Sequence, residues 1–218
     1  MQSPKLSQTI FSQFYKNLNL LFSPLFSPPA IIALQAHWGG NTMSERTVYI
    51  LLTRSGTWFS RLIHFATQDD YTHASIGLAG PEGPFYSFAR KHPHFALPAG
   101  LVEEQISGRH CIPCCLYTLQ VSDQTYFQLQ KRLRNMYRQK EHYHYSILGA
   151  FACFLNLPLQ RRRHYFCSQF VADLLETCHA VELPKPPTLV RPADFCSMQC
   201  LTPVHRGLLA GLSSLRPA

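Results

Sequence analysis

The sequence predicts a single α+β domain, and three observations carry that expectation. Short apolar runs rich in β-branched and aromatic residues dominate the first half of the ordered part, at 47–53, 72–78 and 84–88. Apolar stripes at helical spacing dominate the second half, at 123–140, at 146–155 and from Cys167 onward. With 218 residues, 46% of them hydrophobic and 12% aromatic, the chain is long enough to bury one sizeable core.

The first strand is Thr47-Val48-Tyr49-Ile50-Leu51-Leu52-Thr53, a continuous apolar run that reads as buried. Trp58, Phe59, Leu62, Ile63 and Ala66 then recur at helical spacing, so an amphipathic helix is expected over 56–66, closed by Asp69 and Asp70. The runs at 72–78 and 84–88 flank Gly80-Pro81-Glu82-Gly83, whose residues favour a tight turn, and together they read as a hairpin. A further strand is expected at 115–121. Tyr126, Leu129, Leu133, Met136 and Tyr137 make the apolar stripe of the next helix, and Lys131, Arg132, Arg134 and Lys140 make its solvated face. Two more helices follow, the last with Phe170, Val171, Leu174 and Leu175 toward the core. The tail carries Pro184, Pro186, Pro187 and Pro192 and is expected to be extended.

Residues 1–42 differ from all of this. They hold no acidic residue and two lysines, and Pro24, Pro28 and Pro29 interrupt every apolar cluster that a membrane-spanning helix would need. Gly39-Gly40-Asn41-Thr42 before Met43 can be encoded by a bacterial ribosome-binding sequence and its spacer, which makes Met43 the expected native start. The expected organisation is therefore a non-native or disordered extension over 1–42 and one domain over 43–218.

The formal charge of +8 is modest and its one compact basic run is Arg161-Arg162-Arg163, without the interleaved aromatics on which single-stranded nucleic acid stacks, so no nucleic-acid partner is expected. Eight irregularly spaced cysteines without a clean secretory signal fit a reducing cytoplasm better than a disulfide framework. Cys111-Ile112-Pro113-Cys114 is a CxxC whose only candidate second pair, Cys196 and Cys200, is distant and loosely spaced; inert thiols are the simpler reading, and no metal or other cofactor is expected.

One cysteine stands apart. Cys167 opens a helix in Phe166-Cys167-Ser168-Gln169-Phe170-Val171, where unpaired amide N–H groups and the helix dipole favour an anion. A thiolate there has the form a nucleophile needs, and the same amides can receive a developing oxyanion. A small buried core cysteine is the plain alternative. His73 is the candidate base, mounted on a strand, although a lone strand histidine is more often structural.

Five short motifs occur in a telling order: Tyr71-Thr72-His73-Ala74-Ser75-Ile76, Tyr86-Ser87-Phe88-Ala89-Arg90-Lys91, Gly100-Leu101-Val102-Glu103, Tyr145-Ser146-Ile147-Leu148-Gly149 and Phe166-Cys167-Ser168-Gln169-Phe170-Val171. In this order the chain resembles the circularly permuted NlpC/P60 families of papain-like proteins, the YiiX/YaeF-like and YycO-like cysteine hydrolases, and more distantly lecithin:retinol acyltransferase. The resemblance runs from about Thr47 to a closing Arg191-Pro192-Ala193-Asp194-Phe195. It implies a permuted papain-like fold, an antiparallel sheet or small barrel packed against helices, with the nucleophile at a helix N-terminus. It also implies thiol hydrolysis of an amide, peptide or ester bond through Cys167 and His73, on a small-molecule or peptide-like substrate, with cell-wall and lipid-linked substrates among the candidates. Acyl transfer and an inactive binding module are the alternatives. The third position, which orients the imidazole in those families, falls on Ser87, with Glu103 as the charged alternative if the following loop folds back.

Overall fold

The computed structural model describes residues 45–54, 69–90, 99–106 and 111–215, within a compact unit that runs from Ser44 to Ala218. The expectations for 1–42 and for a helix over 56–66 lie outside the described residues.

The architecture is α+β, built on one eight-stranded, mostly antiparallel sheet. Its strands are β1 (Glu45–Thr53), β2 (His73–Gly77), β3 (Phe85–Arg90), β4 (Ala99–Glu104), β5 (Pro113–Ser122), β6 (His144–Tyr145), β7 (His164–Tyr165) and β8 (Thr202–Leu208). They lie in the order β7-β6-β4-β3-β2-β1-β5-β8, and only the β6–β7 pair is parallel. The α-helices among the described residues are α1 (Asp123–Arg138), α2 (Ile147–Phe154) and α3 (Cys167–Thr177).

β1 is an interior strand, paired with β2 on one side and with β5 on the other, from Glu45↔Ser122 to Thr53↔Cys114. That explains its continuous apolar run. Because side chains alternate between faces, Val48, Ile50 and Leu52 enter one core cluster while Leu51 enters another. The larger cluster also holds Phe88, Leu129, Leu133, Phe170 and Leu174, so it buries the inner faces of α1 and α3. The smaller one joins Phe85 and Leu116 to Leu209 and Leu212 from the tail.

The hairpin of β2 and β3 is present, and its turn contains Gly83 at φ +92°, a conformation that a side chain would strain. Helix signals are explicit. Ser122 caps α1 by accepting from the Thr125 N–H at 3.2 Å, and Asp123 in the first turn with Arg138 in the last complements the dipole. Ser146 caps α2 by accepting from the Gly149 N–H at 3.1 Å.

The tail departs from the extended course expected of it. It forms 3-10 turns at Pro187–Leu189, Pro192–Ser197 and Leu209–Ser214, and between them it contributes β8, which pairs with β5. β8 is an edge strand, almost wholly exposed, so its residues carry no apolar alternation from which a strand could be read. The closing Arg191-to-Phe195 motif pins the tail in place, since Asp194 accepts from the Arg191 N–H at 2.6 Å and pairs with Lys185 at 2.7 Å, while Phe195 is fully buried. Among the described residues, no helix is long and apolar enough to cross a membrane.

Candidate functional site

Two short strands set the position of the helix-terminal thiol. β6 and β7 pair in parallel, His144 with His164 and Tyr145 with Tyr165, and each leads almost directly into a helix, β6 into α2 and β7 into α3. The Ser146 N–H donates to the Tyr165 carbonyl at 2.9 Å and locks the two helix entries side by side. At the α3 entry, the Phe166 N–H donates to Gln169 Oε1 at 3.4 Å, and Ser168 Oγ donates to the Val190 carbonyl at 2.7 Å, tying the first turn to the tail. Cys167 is the first residue of α3 and is only 6% exposed.

His73 opens β2 and meets this turn. Its ring hydrogen-bonds the Cys167 side chain, and the thiol is also hydrogen-bonded to the backbones of Ala74 and Ser168. The other partner of the ring is Glu104, whose Oε1 lies 2.7 Å from His73 Nε2. Because Nε2 is engaged there, Nδ1 is the ring nitrogen left for the thiol.

The electrostatics of the three groups are mutually supporting. Burial pushes the His73 imidazole down, but the Glu104 carboxylate beside it, the hydrogen bonds to Cys167 and Glu104, and the charge of Cys167 outweigh burial and hold it well above 6.5. Burial pushes the Cys167 thiol up, yet hydrogen bonding to His73, the charge of that ring and the Ala74 and Ser168 contacts bring it below 9. Each shift points to a thiolate–imidazolium pair. Cys114 and Cys153, buried without such a partner, are pushed the other way, to about 11.

The sequence predicts Ser87, or Glu103 as the charged alternative, beside the ring, and in the structure the side chain on the ring is Glu104. Ser87 faces Val102 across the β3–β4 ladder and spends its hydroxyl on the Ala74 carbonyl at 2.6 Å. It steadies the β2 backbone next to His73, not the ring. Glu103 does not belong to a loop that folds back: 99–104 is a strand, and along it successive side chains point to opposite faces. Glu103 accordingly meets Gln105 at 3.0 Å and the Tyr86 hydroxyl, while Glu104 turns to His73.

Replacing Ser87 with Ala is therefore expected to act on stability more than on chemistry. It leaves the buried Ala74 carbonyl without that donor, a loss of about 1–3 kcal/mol. In a domain of this size that is a drop of a few degrees in Tm. Thermal unfolding should show that drop while Cys167 reactivity changes less than about threefold, a factor worth only ~0.65 kcal/mol.

Tyr145 is the other functional group that sequence reasoning passed over, although it heads one of the motifs. The residue is half-buried, and the pKa of its phenol is held well above 10, first by burial and then by the charge of Cys167. It stays protonated and can donate. The N–H of Cys167 itself, in the first turn of α3, has no acceptor within the helix.

All eight cysteines are free; Cys111, Cys196 and Cys200 are exposed and the other five buried. Among the described residues no group of three or more His, Cys, Asp or Glu side chains is arranged to hold a metal ion. An open cleft of about 500 Å³ between α1 and the end of α3 is lined by residues such as Lys131, Arg132, Tyr143 and His179 and contains neither Cys167 nor His73.

No protein family, curated protein or solved structure matches this chain.

Proposed function

We propose that this protein is a thiol hydrolase with a permuted papain-like arrangement, in which Cys167, His73 and Glu104 cleave an amide, peptide or ester bond. The observation that carries the proposal is the continuous chain of contacts from Glu104 through the His73 ring to the Cys167 thiol at a helix N-terminus. Three weakly specific residues thereby become one proton-managing unit.

In the first half-reaction the Cys167 thiolate attacks the substrate carbonyl carbon and the C=O electrons move onto oxygen. The tetrahedral oxyanion is received by N–H groups at the start of α3 and by the Tyr145 hydroxyl. Collapse expels the amine or alcohol, which takes the proton carried by His73. In the second half-reaction His73 accepts a proton from water, the hydroxide equivalent attacks the thioester, and the acid leaves as the thiolate is restored. Glu104 fixes the ring orientation throughout and stabilises its protonated form. The order of elements, with the histidine strand before the cysteine helix, supports the permuted NlpC/P60 reading. Acyl transfer would share the first half-reaction and replace water by another acceptor. A binding module without catalysis drew its support from a neutral third residue, and a carboxylate on the ring removes that support.

The test uses an activated ester such as p-nitrophenyl acetate. Intact-mass and peptide analysis should find the acyl group on Cys167, with hydrolytic release over time. An adduct that forms equally on Cys111 or Cys200, or that persists unchanged in Cys167→Ala, would contradict the reading.

A further inference from the structure

Most of the large apolar side chains that the described surface leaves exposed sit in one place. Of the nine, six are Ile147, Leu148, Phe151, Phe154, Leu155 and Leu157, on α2 and the turn after it, each 40–56% exposed. Along α2 the first five span one face of about 120°, given 100° per residue, while Gly149, Ala152 and Cys153 turn inward. Soluble surfaces carry single exposed apolar residues routinely, but a contiguous stripe of Phe, Leu and Ile marks a surface that docks.

The charge around this stripe indicates what it docks to. From His142 to Ala172 there is no Asp or Glu, and Arg161, Arg162 and Arg163 follow α2 closely, all three exposed. They return to the start of the same helix, since the Arg163 carbonyl accepts from the His144 N–H at 2.9 Å, two residues before the α2 cap. On the side of α2 that faces the tail lie Lys185, Arg191 and Asp194, and the one carboxylate among them is already paired, Asp194 with Lys185 at 2.7 Å and with the Arg191 backbone N–H at 2.6 Å. An apolar helix face bordered by cations and free of carboxylates has the composition of an interfacial anchor, in which apolar side chains enter the acyl boundary and arginines meet anionic headgroups. A protein partner would ordinarily be matched by mixed charges at the rim, and the side-chain charges from 142 to 172 are all of one sign.

We infer that the exposed face of α2, with Arg161, Arg162 and Arg163, docks this protein on the surface of an anionic lipid bilayer. Tyr145, which neighbours Cys167, lies directly before the cap of α2, so docking brings the candidate site close to the lipid surface. The inference stands apart from the thiol chemistry, because vesicle binding is read without turnover.

The test is co-sedimentation of the full chain with phosphatidylcholine vesicles that contain, or lack, about one third phosphatidylglycerol. Binding to the anionic vesicles should be at least tenfold tighter and should weaken with added salt. Leu148→Ser with Phe151→Ser should weaken it at least tenfold, with thermal unfolding unchanged because both side chains are at the surface. Independently, R161E/R162E/R163E should remove the preference for anionic vesicles. Absence of binding, or binding that neither set of substitutions alters, would overturn the inference. So would a dimer in solution that Phe151→Ser dissociates, since a second copy would then be the occupant of the face.

Discussion

His73→Ala is expected to slow alkylation of Cys167 at pH 6.5 by at least tenfold, and turnover of any substrate by about 10²–10⁴. The ring is the largest influence that lowers the thiol pKa against burial. Without it, burial takes over and the thiol moves toward the range of Cys114 and Cys153, at about 11. At pH 6.5 an ordinary thiol with a pKa near 8.5 is only about 1% thiolate. The lost thiolate is partly offset because a more basic thiolate is intrinsically a better nucleophile. Iodoacetamide labelling followed by peptide mapping reads the result. Labelling of Cys167 at an unchanged rate in His73→Ala would show that the helix terminus alone activates the thiol.

The second large effect is expected from Glu104→Gln, which keeps the shape and a hydrogen bond but removes the charge. Among the influences that raise the His73 pKa, the Glu104 charge comes first. With it gone, the imidazolium gives up its proton at a lower pH, so the alkaline limb of the activity profile moves toward neutrality. Turnover at pH 8 should fall about 10- to 100-fold, in keeping with the loss of an orienting carboxylate in a coupled unit. Glu103→Gln is the matched control, since Glu103 lies on the opposite face of β4 and meets Tyr86 and Gln105. It should stay within about twofold, or ~0.4 kcal/mol. A collapse in Glu103→Gln comparable to that in His73→Ala would return the orienting role to Glu103.

That pair of neighbouring glutamates shows where sequence reasoning stops. The interior strands were legible because burial on both faces writes an apolar run, as in 47–53, and α1 was legible because its stripe at Leu129, Leu133 and Met136 has the helical period. The thiol at the start of α3 was legible because a helix N-terminus has a physical consequence for an anion. The third member of the chain depended on strand parity. A one-residue shift along β4 exchanges Glu103 for Glu104, and nothing in Leu101-Val102-Glu103-Glu104 fixes which carboxylate turns to the ring. Only the ladder does, by placing Val102 opposite Ser87 and Glu104 opposite Phe85. β8 escaped for a related reason: an exposed edge strand buries too little to imprint a pattern.

The central claim, that Cys167 rests as a thiolate paired with a protonated His73, is tested most directly by the pH dependence of its alkylation in the unaltered protein. Iodoacetamide modification of each cysteine is followed by peptide mapping from acid to alkaline pH. Cys167 should already react at a nearly constant rate below neutrality, whereas Cys114 and Cys153, pushed up by burial to about 11, should gain about tenfold per pH unit until far into the alkaline range. A Cys167 rate that climbs about tenfold per unit through neutrality and levels off only near pH 8.5, as for an unassisted thiol, would contradict the account.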